Sequence, residues 1–103
     1  MQGPTLTDEA KDDVAGIWET IAAARDERTA DRMNRRIFAS CRSKAQFPET
    51  GQLREEIAPG LRSFVVRPYV IFFRPDGESI LVLRILHGRR MGRWRDLGRD
   101  RGG

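Results

Sequence analysis

Tyr69-Val70-Ile71-Phe72-Phe73-Arg74, then Pro75-Asp76-Gly77-Glu78, then Ser79-Ile80-Leu81-Val82-Leu83-Arg84-Ile85-Leu86: the reading of this stretch decides the fold. Both apolar runs are short, rich in β-branched and aromatic residues, and bounded by turn formers, which predicts two strands. Pro-Asp-Gly-Glu is a strong hairpin signal, because proline presets one turn dihedral and glycine accepts a positive φ. Just upstream, Leu61 to Val66 predicts a third strand, joined to the first through a turn at Arg67-Pro68. Connections this tight make the three strands an antiparallel meander. The apolar runs are nearly continuous, so the middle of the sheet is expected to be covered on much of both faces.

Toward the N-terminus the period changes. Thr7 followed by Asp8-Glu9-Ala10 predicts an N-cap with acids in the first turn. Ala10, Val14, Ile17, Trp18 and Ile21 recur at helical spacing, predicting a helix over 8–25 with Trp18 in the core. After a polar break at Arg25–Arg28, Thr29 is the expected cap of a second helix ending near Ser43. Ala30, Met33, Ile37 and Cys41 form its apolar face, and Arg32, Arg35, Arg36 and Arg42 occupy much of the rest. So short a link predicts an antiparallel hairpin. Phe47-Pro48 and Gly51 end it. Residues 52–60 are expected to be a loop with a helical turn around Leu53–Ile57. The lead-in before Thr7 has room for only a short strand near Pro4–Leu6. The fold class is therefore α+β: an N-terminal antiparallel helical hairpin packed on a small antiparallel β-sheet. The domain is placed at 1–91, with the Arg/Gly-rich segment 92–103 expected to be a flexible tail.

At 103 residues the chain has room for one core. No apolar stretch approaches the roughly 20 residues of a membrane-spanning helix, and the start is acidic, unlike a secretory signal. These features predict a cytoplasmic bacterial protein. The lone Cys41 has no disulfide partner and is expected to be a small buried hydrophobe.

Charge is unevenly placed. Residues 1–31 hold eight acids against three bases, whereas residues 84–103 hold seven arginines against two acids. The bases are 17 Arg and 2 Lys. Guanidinium groups make planar bidentate contacts to carboxylate or phosphate, so the C-terminal half is expected to meet an anionic partner, either an acidic protein segment or a nucleic acid. A GC-rich genome would produce the same arginine bias.

No P-loop, dinucleotide-binding glycine pattern or metal-ligand cluster is present, so no catalytic residue, metal, cofactor or small-molecule substrate is assigned. His87 ends the last strand, where it can serve as a structural hydrogen-bonding group or as a general acid or base. Arg62 and Arg84 lie within apolar strands, where an unpaired charge is costly. They either pair with Glu55, Glu56 or Asp76, or point to an open face. Arg54 is expected to pair locally with Glu55-Glu56. Trp94, between Arg93 and Arg95, is a candidate anchor for a partner or a stacking platform for a base.

In order and spacing these residues resemble the ParE branch of the ParE/RelE superfamily of toxins from bacterial toxin–antitoxin pairs. Thr7-Asp8-Glu9-Ala10 with Asp13-Val14 and Ile17-Trp18 looks like the family's first helix, and Ala30 to Ile37 like its second. Phe47-Pro48, Gly51, Arg54-Glu55-Glu56 and Gly60-Leu61-Arg62 look like its central signature, and Tyr69 to Arg74 and Arg84 to Arg89 like its closing strands. The resemblance implies a ParE-like toxin that inhibits DNA gyrase without catalysis and is held silent by a ParD-like antitoxin in a hetero-oligomer. Arg62, Arg74 and Arg84 are then candidates for antitoxin contact, and His87, Arg89, Arg90 and Trp94 for target contact. RelE-like relatives instead cut mRNA on the ribosome with lysine, arginine and tyrosine or histidine side chains on the sheet. Lys11 and Lys44 here fall on predicted helices and Tyr69 starts a strand, which favours the ParE-like branch. A ribosome-dependent mRNA endonuclease and a degenerate, non-toxic binding module are the alternatives.

Overall fold

The computed structural model describes residues 3–90. In chain order these form β1 (Thr5–Leu6), α1 (Asp8–Ala24), α2 (Glu27–Ala45), β2 (Gln52–Leu53), β3 (Arg62–Val66), β4 (Tyr69–Asp76) and β5 (Ser79–His87), followed by a 3-10 turn over Gly88–Arg90. The expected meander β3–β4–β5 forms the middle of the sheet. Two short strands join it, giving the order β1-β5-β4-β3-β2. β1 runs parallel to β5, so the sheet is mixed and not purely antiparallel. The parallel strand arises because the lead-in enters beside β5 and turns directly into α1. The expected flexible tail 92–103, and Trp94 with it, lies outside the described residues.

Thr7 makes that direct turn possible. Its backbone N–H donates to the Val82 carbonyl at 3.0 Å, and its hydroxyl donates to the Leu83 carbonyl at 2.9 Å. The same hydroxyl oxygen accepts from the Ala10 N–H at 3.1 Å, capping α1 as its position predicts. One residue thus ends a strand and starts a helix.

The second cap differs from expectation. Asp26, and not Thr29, caps α2, accepting the Thr29 N–H at 2.7 Å. A carboxylate is the stronger acceptor at the positive end of a helix. That hydrogen bond from the Thr29 backbone holds the Asp26 carboxyl below its ordinary pKa. α2 consequently starts at Glu27, leaving only Arg25 and Asp26 between the helices.

The sheet is covered on both faces. Against the hairpin lie Tyr69, Ile71 and Phe73 of β4 and Ile80, Val82 and Ile85 of β5, packed on Ala10, Val14 and Ile17 of α1 and Ile37 and Cys41 of α2. Cys41 is fully buried, as expected, and burial pushes its thiol pKa up to about 11. Trp18 is not core. It follows Ile17 by one residue, about 100° round the helix, and is half-buried. Its Nε1–H donates to Asp31 Oδ1 at 2.8 Å, tying α1 to α2 at the hairpin surface.

The opposite face is smaller. Leu61, Val70, Phe72 and Leu86 pack there with Ile57, Ala58 and Leu83. Its cover is the segment between β2 and β3, where the turn begins at Arg54, because Leu53 pairs with Arg62 as part of β2. Gly51, just before β2, adopts φ +94°, and a Cβ there would lie 3.0 Å from the Ser63 carbonyl oxygen and 3.1 Å from the Phe73 ring. Only glycine fits. Gly77 at φ +61° serves the β4–β5 turn.

Candidate functional site

The C-terminal end of β5 meets α1 at a residue that helical periodicity alone leaves unassigned, Asp13. It lies on the flank of the apolar stripe Ala10–Val14–Ile17–Ile21 and points at the edge of the sheet. β5 carries an irregularity here: Phe72 pairs with Arg84 but Phe73 pairs with Val82, so Leu83 is an extra residue. β1 has already ended, and the edge groups of β5 need other partners. Thr7 takes the Leu83 carbonyl, and Asp13 Oδ2 accepts the Ile85 N–H at 2.9 Å.

The same carboxylate binds Arg84 through two hydrogen bonds, Nε to Oδ2 at 2.7 Å and an amino nitrogen to Oδ1 at 3.1 Å. The partner of Arg84 is therefore Asp13, 71 residues away, and not Glu55, Glu56 or Asp76. Donating these hydrogen bonds to the Asp13 carboxylate raises the Arg84 pKa. This bidentate pair, with the Arg84 side chain 34% exposed, aims a guanidinium at the helix–sheet seam.

Beside the pair runs an open groove of about 450 Å³, walled by Asp12, Gly16 and Thr20 of α1 on one side and by Tyr69, His87 and Arg89 on the other. His87 and Tyr69 are cross-strand partners whose rings meet edge to face, 5.7 Å between centroids. Burial raises the Tyr69 pKa. The His87 Nδ1 accepts the Arg89 N–H at 3.2 Å, which leaves Nε2 to carry the proton in the neutral ring. The histidine is thus engaged structurally, in the turn that ends the sheet.

The sequence-derived candidates do not form one cluster. Arg62 pairs across from Phe73, whose side chain is on the hairpin side, and approaches the Gly51 carbonyl at 3.4 Å. Arg74 is the next residue on β4, so alternation turns it to the opposite side, where it is exposed. Arg84 is drawn to Asp13. His87 and Arg89 do come together, on the groove. Arg90 closes the 3-10 turn.

Arg54 is buried and stitches the far side. Its Nε–H donates to Ser63 Oγ at 2.8 Å, and its guanidinium lies 3.6 Å from the Glu56 carboxylate. Its N–H donates to the Leu61 carbonyl, and its own carbonyl accepts from Ile57 and Ala58. The local pairing with Glu56 was legible from spacing, whereas the buried bond to Ser63 was not.

A family model described as the ParE toxin of the type II toxin–antitoxin system parDE matches residues 5–92. The chain belongs to the ParE toxin family. A curated relative, Toxin ParE3 of Caulobacter vibrioides, is 31% identical over 77 residues, covering 75% of this chain and 77% of its own. Among solved structures, the chromosomal ParDE toxin–antitoxin system from P. aeruginosa superposes with a TM-score of 0.72 at 24% identity. It covers 84% of this chain and 96% of its own. That likeness establishes the fold. In this ParE-family chain the matched span includes the Asp13–Arg84 pair, the groove and the Arg54 stitch.

Proposed function

We propose that this ParE-family chain is a toxin that inhibits DNA gyrase by binding, without catalysis, and that a ParD-like antitoxin silences it in the cytoplasm. The observation that carries this reading is the family match across residues 5–92. The side-chain geometry agrees with it. His87 Nδ1 is occupied by a backbone N–H, and Lys44 lies over the Phe64 ring with its Nζ donating to Thr50. Among the described residues, no helix is long and apolar enough to cross a membrane.

In this reading Arg62, Arg74 and Arg84 meet carboxylates of the antitoxin, and His87, Arg89, Arg90 and Trp94 contact the target. The test is expression without antitoxin, followed by assays of purified chain for gyrase-dependent DNA cleavage and for translation arrest. Growth arrest with gyrase-dependent cleavage is the expected result. Translation arrest with ribosome-dependent mRNA cuts would replace the reading by the endonuclease alternative. Normal growth would leave a binding module only.

A further inference from the structure

The two helices of the hairpin carry opposite charge. α1 has Asp8, Glu9, Asp12, Asp13 and Glu19 against Lys11. α2 has Arg28, Arg32, Arg35, Arg36, Arg42 and Lys44 against Glu27 and Asp31. Asp31 accepts the neutral Trp18 indole N–H and keeps its charge, so α2 carries six bases against two acids.

The placement of the α2 arginines is regular. Arg28, Arg32, Arg35, Arg36 and Arg42 are all exposed, and all lie opposite the buried residues Ala30, Ile37 and Cys41. At 100° per residue they fall within an arc of about 120°, and Arg28 to Arg42 spans about 21 Å along the axis. Among the described residues, the ion pairs are Arg54–Glu56 and Arg84–Asp13, so none of these five arginines is held in a direct salt bridge, and of the five it is Arg32 that is drawn to the Asp26 carboxylate. A helix face with this excess of guanidinium groups over carboxylates repels itself in the free protein and is relieved by a polyanion.

The choice of polyanion follows from what the face lacks. Protein interfaces are built around buried aromatic or aliphatic anchors. Among the described residues, the exposed large apolar side chains are Phe47, Leu53 and Val65, none of them on α2. Between the arginines stand Ala39 and Ser43. A flat cationic row without an anchor suits phosphates, which are contacted by charge and without reading of sequence.

We propose that the outer face of α2 is a binding surface for the phosphate backbone of duplex DNA, with Arg28, Arg32, Arg35 and Arg42 as its contacts. The binding is insensitive to sequence and strongly dependent on salt. It does not depend on gyrase being the target.

The experiment is fluorescence anisotropy of a short labelled duplex of random sequence, titrated with the full chain across a range of salt concentrations. It is run on the parent chain and on the variant carrying Arg28→Gln, Arg32→Gln, Arg35→Gln and Arg42→Gln together. The C-terminal arginines remain in both, so the difference reports α2 alone, and thermal unfolding confirms that the exposed substitutions leave the fold intact. Each lost phosphate contact takes about 0.9 from the slope of log K against log salt, so the quadruple variant is expected to be shallower by about 3 to 4. An unchanged slope, or no binding of DNA by the parent chain, overturns the proposal. Row-dependent binding to poly-glutamate that exceeds binding to the duplex would overturn it in favour of an acidic protein.

Discussion

The two faces of the sheet are covered by different means. On one side two helices lay a continuous apolar stripe on Ile71, Phe73, Ile80, Val82 and Ile85. On the other a short loop covers Phe72, Val70 and Leu86, and it is held by the polar contacts of one buried arginine. The first cover is stable because apolar area is removed from water at about 25 cal/mol per Å². The second is too small for that alone and depends on hydrogen bonds whose loss would leave buried groups unsatisfied. Regular elements therefore resist local change through packing, whereas the loop resists it through a few specific bonds.

Phe73→Ala against Phe72→Ala tests this contrast most strongly. Both rings are fully buried. Phe73 also meets Phe64 edge to face at 5.6 Å. Removing a buried phenyl costs about 3–5 kcal/mol, with the larger values where the surroundings cannot collapse. Urea unfolding should place Phe73→Ala at the upper end and Phe72→Ala at the lower, because a loop can settle into the space and a helix hairpin cannot. Equal losses would show that the loop is as rigid as the helices.

Arg54→Leu should destabilise by about 2 kcal/mol, within the range for hydrogen bonds to charged groups. The distinguishing readout is local: amide exchange should quicken for Ile57, Ala58 and Leu61 while β4 and β5 remain protected. Uniform quickening would mean that the loop and sheet unfold as one unit.

Asp13→Ala removes the bonds to Arg84 and Ile85 and should cost about 1.5–2 kcal/mol. Asp13→Asn, which keeps an acceptor for the Ile85 N–H but loses the charge, should cost less. If the two variants are equal, the ion pair and not the capping of the strand edge is what matters at this seam.

The smallest effect at neutral pH comes from Cys41, in the core under the hairpin. Its pKa is raised from 9.0 to about 11, so the folded state holds its proton more tightly than the unfolded chain. The resulting stability is fully present below pH 9 and is lost as pH rises through 11, an effect on the order of 2–3 kcal/mol when complete. Tyr69, also raised by burial, adds a loss in the same alkaline range. Cys41→Ala should flatten part of the alkaline decline in unfolding free energy and leave the Tyr69 part. An unaltered decline would show that the hairpin-side core admits water around the thiol.

Much of the architecture was legible because it rests on local rules. Helical spacing in 8–25, the Pro75–Glu78 turn and the apolar runs on either side follow from periodicity and turn chemistry. The errors fall where a neighbour in space competed with a neighbour in sequence. Asp26 displaced Thr29 as a cap because a carboxylate binds a helix N-terminus better. Trp18 left the core because the position one past Ile17 turns toward α2. Arg84 found Asp13, and no acid close in sequence, because the irregularity at Leu83 turns the end of β5 toward α1.

The order and type of the main elements, the burial of Cys41 and the family each follow from residue pattern along the chain. The tertiary structure alone decided the parallel pairing of β1 with β5, the Asp13–Arg84 seam, the stitching of the far face by Arg54 and the separation of Arg62, Arg74 and Arg84 into three settings. These depend on which edge of the sheet the lead-in occupies and which face each strand residue takes. Hydrogen bonds and charges act over a few ångströms in space, and the chain brings such groups together from as far as 76 residues apart.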